Sequence, residues 1–211
     1  MRRTSFNFAL LGICCSLATL TANAESTSPE TTPRSRWAVE VQYDLNMPGD
    51  WRTTDRNQNL LLSSGVGVGA ACNVNLSQGW FIEPGALIAY DTFKFGDNDD
   101  RLRLMQLSLR IPIKAGYEFN AWDEFRILPH IAVEGAYHLY NKAKFNPVIG
   151  SPKWNRFDTL WGIGVGFRYE SYGVDLTGYF GLIDKLSNAS HYQPQYKQYS
   201  NKVAITAKYY F

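Results

Sequence analysis

Apolar and polar residues alternate along most of this chain. Between Asn201 and Phe211, Val203, Ile205, Ala207, Tyr209 and Phe211 fall on one face, and Lys202, Ala204, Thr206, Lys208 and Tyr210 on the other. A period of two predicts a strand with one apolar face. The pattern recurs seven times upstream. Trp37, Val39, Val41, Tyr43 and Leu45 oppose Ala38, Glu40, Gln42 and Asp44; Leu62, Val66, Val68 and Ala70 oppose Ser63, Gly65, Gly67 and Gly69. A third strand, from Trp80 to Tyr90, sets Ile82, Ala86 and Ile88 against Glu83, Gly85 and Ala89. A fourth sets Leu107, Leu109, Ile111, Ile113, Ala115 and Tyr117 against Gln106, Ser108, Arg110, Pro112 and Lys114. In the fifth, Ile127, Ile131, Val133, Tyr137 and Leu139 oppose Arg126, His130, Glu134 and His138. In the sixth, Trp161, Ile163, Val165, Phe167 and Tyr169 oppose Asp158, Gly162, Gly164, Gly166 and Arg168. In the seventh, Val174, Leu176, Phe180 and Leu182 oppose Asp175, Thr177 and Tyr179.

The connections sort by parity. Those after strands two, four and six are short: a turn at Asn73-Val74-Asn75, another at Asn120-Ala121-Trp122-Asp123, and one near Glu170-Ser171. Those after strands one, three, five and seven are long, around Gly49–Asn59, Phe93–Asp100, Asn141–Asn155 and Ser187–Gln198. Strands of about 9–11 residues with loop lengths that alternate in this way mark an outer-membrane barrel, short turns on the periplasmic side. The apolar faces carry two aromatic belts. Trp37, Trp80, Tyr117, Tyr169, Tyr172, Tyr209 and Phe211 form one, and Tyr43, Tyr90, Tyr137, Trp161 and Phe180 the other, with aliphatic residues between them. Amphipathic rings favour the headgroup level of a bilayer.

These features resemble the outer-membrane β-barrel domain family, PorT-like and OmpA/OmpX-like eight-stranded barrels. The resemblance rests on Leu109-Arg110-Ile111-Pro112-Ile113-Lys114-Ala115-Gly116-Tyr117, on Gly162-Ile163-Gly164-Val165-Gly166-Phe167, on Tyr179-Phe180-Gly181-Leu182 and on the terminal Tyr209-Tyr210-Phe211. It covers Trp37 to Phe211 and implies an all-β, eight-stranded antiparallel up-and-down transmembrane barrel. It further implies that Phe211 acts as the signal read by the barrel-assembly machinery, and it supplies no catalytic motif.

The amino terminus adds an address. Arg2 and Arg3, an apolar stretch from Phe8 to Leu20, and Ala22-Asn23-Ala24 predict a signal peptide over residues 1–24. A membrane anchor is the alternative, but the apolar run is short for a span of about 20 residues. Ile13 and Cys14 do not supply the small residue that a lipoprotein site at Cys14 or Cys15 would need. Residues 25–35, rich in Ser, Thr, Pro and Glu, read as a flexible periplasmic leader, and residues 36–211 as the barrel. Removing the signal leaves Cys72 as the sole cysteine, so no disulfide within the mature chain is expected. It also takes away Arg2 and Arg3, so 21 basic residues become 19 against 19 acidic ones, a net charge of zero. Nothing there suggests a nucleic-acid surface. The mean hydropathy of −0.27 hides a membrane protein, because alternating strands average out.

The non-apolar face carries the candidate chemistry: Glu40, Asp44, Glu83, Glu134, Asp158 and Asp175 against Arg110, Lys114, Arg126, Arg168 and Lys208. Eight strands enclose an interior that side chains nearly fill, and buried charges persist only when paired. A salt-bridged plug is therefore expected, with a narrow pore as the alternative. His130 and His138 share that face around Glu134 but stand over about 25 Å apart at about 3.3 Å per residue, too far to share one metal. His191 is expected in a solvated loop. Gly65-Val66-Gly67-Val68-Gly69 lacks the following helix of a phosphate loop, and its inward glycines make room for neighbouring side chains. Asn188-Ala189-Ser190 matches a glycosylation sequon with little meaning in a bacterial envelope. Asp97, Asp99 and Asp100 form an acidic loop that could take a divalent ion or bridge to lipopolysaccharide. A rim enzyme would use Asp91, His138 and Ser187, though nothing marks them as a constellation. No cofactor or metal is expected. The expected partners are outer-membrane lipid, lipopolysaccharide and the assembly machinery; the extracellular partner is unknown. The remaining rival is a soluble lipocalin-like barrel with an apolar interior and a polar outside.

Overall fold

The computed structural model describes residues 35–47, 62–76, 79–95, 102–122, 124–144, 154–185 and 199–211. It contains β1 (Ser35–Asn46), β2 (Ser63–Asn75), β3 (Trp80–Phe95), β4 (Leu102–Tyr117), β5 (Phe119–Trp122), β6 (Phe125–Lys144), β7 (Phe157–Tyr169), β8 (Tyr172–Gly181) and β9 (Lys202–Tyr210). The strands lie in the order β4-β3-β2-β1-β9-β8-β7-β6, every neighbouring pair antiparallel, and a β4–β6 ladder closes the ring. β5 pairs Phe119 with Ile127 on β6, so it carries the line of β4 onward past a break at Glu118. The barrel therefore has eight staves. Closure pairs every ladder and leaves no open edge, which a bilayer requires because lipid offers backbone groups no hydrogen-bonding partner.

The C-terminal strand sits where its pattern places it. β9 pairs with β1 through Ala38↔Tyr210 to Asn46↔Lys202, and the Phe211 amide still donates to the Trp37 carbonyl at 2.9 Å. Apolar residues face outward all round the ring. Val41, Val68, Ile131 and Ile163 are each at least 60 % exposed, while Glu40, Glu134 and Arg168 on the opposite face are buried. An aliphatic surface of this extent facing outward around a charged interior is the reverse of a soluble barrel. The lipocalin-like alternative is thereby overturned. The aromatic belts flank this surface, and rings touch across strands: Trp80 meets Tyr117 edge-on at 5.4 Å, Tyr172 meets Tyr209 at 5.4 Å, and Trp161 stacks on Phe180 at 5.0 Å.

Several boundaries differ from the pattern. Asn73, Val74 and Asn75 are still in β2, paired with β1 or β3, so the connection to β3 starts only after Asn75. Asn120 to Trp122 belong to β5, and Trp122 pairs with Phe125 at the start of β6. Phe93 to Phe95 extend β3, and Asn141 to Lys144 extend β6. These segments are polar or aromatic, so a reading based on apolar alternation stops short of them. A bulge near Leu107/Ser108 sets Tyr140 opposite Leu107 and His138 opposite Ser108, which leaves Leu139 and Tyr140 both facing outward. At the long-loop end β3, β4 and β6 run on well past β7, whose first ladder pair is Phe157↔Tyr137. The two-residue turn at the β7–β8 end places Glu170 at φ +49°.

Candidate functional site

The chemistry of this molecule is concentrated in its lumen. Alternation sends every second side chain inward, and the charged ones meet in three tiers.

At the short-turn end, Glu118 occupies the break between β4 and β5. Its Oε1 accepts from Arg126 and from Arg168, each at 2.6 Å, while Arg126 also donates to Asn120 Oδ1 at 2.7 Å. Arg168 lies 5.5 Å above the Tyr210 ring. Outside this floor is an open hollow of about 410 Å³ lined by Arg36, Glu124, Arg126, Glu170, Ser171, Tyr210 and Phe211.

The second tier joins β3, β4, β8 and β9. Lys114 Nζ stands 2.5 Å from Asp175 and 3.8 Å from Glu83; Lys208 Nζ stands 2.6 Å from Asp175 and also contacts Glu83. Glu83 accepts further bonds from Asn73 at 3.2 Å and Tyr210 at 3.3 Å. Glu40 is buried beside this tier, opposite Lys208 in the ladder, yet Lys208 directs its short contacts across the lumen to Glu83 and Asp175. The glycines of β2 and β7 make the tiers possible. A Cβ on Gly65 would collide with Asp91, one on Gly166 with Asp175, and one on Gly164 would lie 2.7 Å from His130 Nε2.

The third tier centres on Arg110. It donates to Asp44 at 2.5 Å and to Asp91, and lies 3.7 Å from Glu134. Lys202 completes the tier, 2.7 Å from Glu134 and 3.8 Å from Asp44, with the Tyr179 ring 4.8 Å away. Asn46 and Gln42 donate to the second oxygens of Asp91 and Asp44, whereas Glu134 Oε2 has no hydrogen-bond partner among the described residues. Above it Asp158 accepts from Ser200 and from the Thr159 amide.

The long-loop mouth is stopped by a segment that follows β8. Lys185 turns inward, donates to Gln106 Oε1 at 2.7 Å, and sits 3.6 Å above the Phe93 ring. Its own backbone is pinned: Asn155 donates to the carbonyls of Lys185 and Asp184 at 2.9 and 2.7 Å. Burial pushes the Lys185 ammonium down to about 8, against the pull of Asp158 and Asp91. Beneath it a cavity of about 20 Å³ lies among Asp91, Arg110, Glu134, His138, Lys185 and Lys202. That is room for about one water molecule.

All eleven charged side chains expected inside point inward, but Arg126 remains partly open at the floor. Asp91, Glu118, Lys202 and Lys185 also belong to the network. The parity of the first three matched charged residues already assigned inward; Lys185 lies beyond any strand pattern. Asp91 and His138 sit inside the barrel, not as a rim pair. Asp91 is held by Arg110 and Asn46, and His138 Nδ1 lies 2.8 Å from Ser108 Oγ. His130 is bonded to the Leu128 carbonyl and Thr177, both at 3.0 Å. Among the described residues no cluster has the ligands of a metal site. Ser187, His191, the sequon at Asn188, the acidic residues Asp97, Asp99 and Asp100, and residues 1–34 lie outside the described residues.

A closed barrel of eight antiparallel strands, apolar outside and ion-paired within, defines an integral membrane barrel of the Gram-negative envelope. The comparisons agree: residues 23–187 match the family described as outer membrane protein beta-barrel domain, and the chain belongs to that family. It is located in the bacterial outer membrane. A search of curated proteins found no match to the chain. Among solved structures it is similar to Ail, the attachment invasion locus protein of Yersinia pestis, at 11% identity and a TM-score of 0.41, over 84% of this chain and 99% of that one. Neisserial surface protein A matches at 15% identity and a TM-score of 0.41, over 83% and 97%. The outer membrane enzyme PagL matches at 11% identity and a TM-score of 0.39, over 79% and 97%.

Proposed function

We propose that this protein is a closed, non-conducting barrel that works at the cell surface through its long loops, without catalysis. The observation that supports this is the filled lumen. Three tiers of ion pairs and a capped mouth leave a cavity of about 20 Å³ in the third tier, too small to form a water-filled path. A barrel that passes nothing acts through what it presents outside. In this reading the long loops face outward, the short turns and the amino terminus face the periplasm, and residues 1–24 are removed on export. Phe211, exposed at the end of a fully paired strand, is the assembly signal. Rim catalysis lacks support, because Asp91 and His138 are committed to Arg110, Asn46 and Ser108.

The test is loop replacement. Cells carrying the barrel with residues 48–61, 96–101, 145–153 and 186–198 all exchanged for Gly/Ser linkers should keep the heat-modifiable band on a detergent gel and lose adherence to matrix-coated surfaces. Adherence that survives replacement of all four loops would refute the reading.

A further inference from the structure

Proline interrupts the wall of the barrel on one side only. A residue of an antiparallel strand points its amide and its carbonyl at the same neighbour, and proline has no amide to give. Pro84 is paired with Ile113 on β4, but Cys72, opposite it on β2, drops out of a ladder that keeps its register from Ala71↔Gly85 to Val74↔Ile82. Pro112 is paired with Glu134 on β6, while Gly85 and Ala86 on β3 drop out between Pro84↔Ile113 and Leu87↔Arg110. Pro129 is paired with Val165 on β7, and Tyr117, opposite it on β4, drops out between Gly116↔His130 and Phe119↔Ile127. The ladders that join β2, β1, β9, β8, β7 and β6 run without a gap. Each gap thus traces to a missing amide, and all three fall on adjoining ladders.

Depth makes two of the gaps costly. The Tyr117–Pro129 gap lies in the aromatic belt, at the wet headgroup level. Pro84 stands four residues inward from Trp80 and Pro112 five from Tyr117, about 13 and 16 Å along the strands at about 3.3 Å per residue. With a strand tilt of about 40°, these are about 10 and 13 Å inside the belt, within the hydrocarbon. Lipid there offers no donor to replace the missing amides, so the wall is weakest where β3 meets β2 and β4.

The second tier lies directly behind these gaps. Asn73 and Glu83 flank the Cys72–Pro84 gap and are bonded to each other at 3.2 Å. Asn73 is fully buried, and its Oδ1 has no hydrogen-bond partner among the described residues. A buried amide oxygen of this kind is ordinarily satisfied by protein or by ordered water. Water is the donor small enough to pass where single hydrogen bonds are missing.

We propose that the wall opens locally along the β2–β3–β4 seam and admits a water molecule that donates to Asn73 Oδ1, while the remaining ladders stay closed. The third tier still blocks the lumen from end to end. The seam goes beyond the surface reading above and does not depend on it.

The experiment is hydrogen–deuterium exchange of the full barrel in phosphatidylcholine nanodiscs, read amide by amide by NMR. Amides at Cys72, Asn73, Gly85 and Ala86 should exchange at least about tenfold faster than those at Val165, Leu176 and Ile205 in the uninterrupted ladders. Pro84→Val/Pro112→Val returns both amides and should slow exchange at the seam by about tenfold, the effect of hydrogen bonds regained, without changing the reference amides. A cross-relaxation peak between the Asn73 side-chain amide and a long-lived water should be present in the unaltered barrel. Equal exchange at seam and reference positions would overturn the seam, and so would an assembled proline variant that exchanges as fast as the unaltered barrel. If that variant does not assemble, the comparison within the unaltered barrel decides. Fast exchange with no water peak at Asn73 would overturn the water site.

Discussion

Replacing Arg110 by methionine isolates the energetics of the lumen. Arg110 is the shared cation of Asp44, Asp91 and Glu134. Methionine keeps most of the packing volume and removes the charge. Lys202 would still serve Glu134 at 2.7 Å and Asp44 at 3.8 Å, but Asp91 would be left with the Asn46 amide. Removing one partner of a buried ion pair costs about 3–5 kcal/mol, chiefly because a charge stays buried without compensation. Arg110→Met should therefore destabilise the barrel by about 3–5 kcal/mol. Asp91→Asn should cost less, since Arg110 retains Asp44. The double variant should be less destabilised than the sum of the two by about 1–3 kcal/mol, the coupling expected of groups in one network. Urea unfolding of the barrel in lipid vesicles, followed by tryptophan fluorescence, gives all three values. A cost below about 1 kcal/mol for Arg110→Met, or strict additivity in the cycle, would refute the argument that Arg110 holds these carboxylates together.

Gly166→Ala should cost about 1–3 kcal/mol, because its Cβ would displace Asp175 from Lys114 and Lys208, while Gly135→Ala, with open space around it, should stay within about 0.5 kcal/mol; the same unfolding assay compares them, and equal costs would sink the account of the glycines. Lys185 titrates near 8 in the folded chain against an ordinary 10.5. Between those values the unfolded chain binds more protons, so this group makes stability rise with pH from about 8 to 10.5; Lys185→Met should flatten the rise, and identical pH slopes would contradict it. Deleting Phe211 should lower the amount of heat-modifiable barrel in the outer-membrane fraction and accumulate periplasmic chain, whereas normal assembly would remove its role as a signal.

Much of the fold is legible in the chain because a bilayer and a charged lumen impose opposite demands on alternate residues. Val39, Val41 and Tyr43 against Glu40, Gln42 and Asp44 declare both faces of β1, and the parity of loop length declares the topology. Strand ends are less legible: Phe93 to Phe95 and Asn141 to Lys144 leave the bilayer pattern, so nothing in their polarity separates strand from loop. The lumen partners are least legible. Glu83 lies beside Lys114 in the β3–β4 ladder, yet the short contact of Lys114 goes to Asp175 on β8. That choice depends on barrel diameter and side-chain reach, which only the closed ring defines. Lys185 was invisible for a different reason: it reaches the lumen from a connection pinned by Asn155, and no periodicity governs such a segment.

The central claim is that the lumen is shut, and planar-bilayer recording of the refolded barrel tests it most directly. With the ion-paired tiers intact and Lys185 stopping the mouth, the membrane current should stay at the level of protein-free controls across the voltage range the bilayer tolerates. Steady, ohmic, single-channel steps that track the amount of folded barrel would contradict the account and make the lumen a pore.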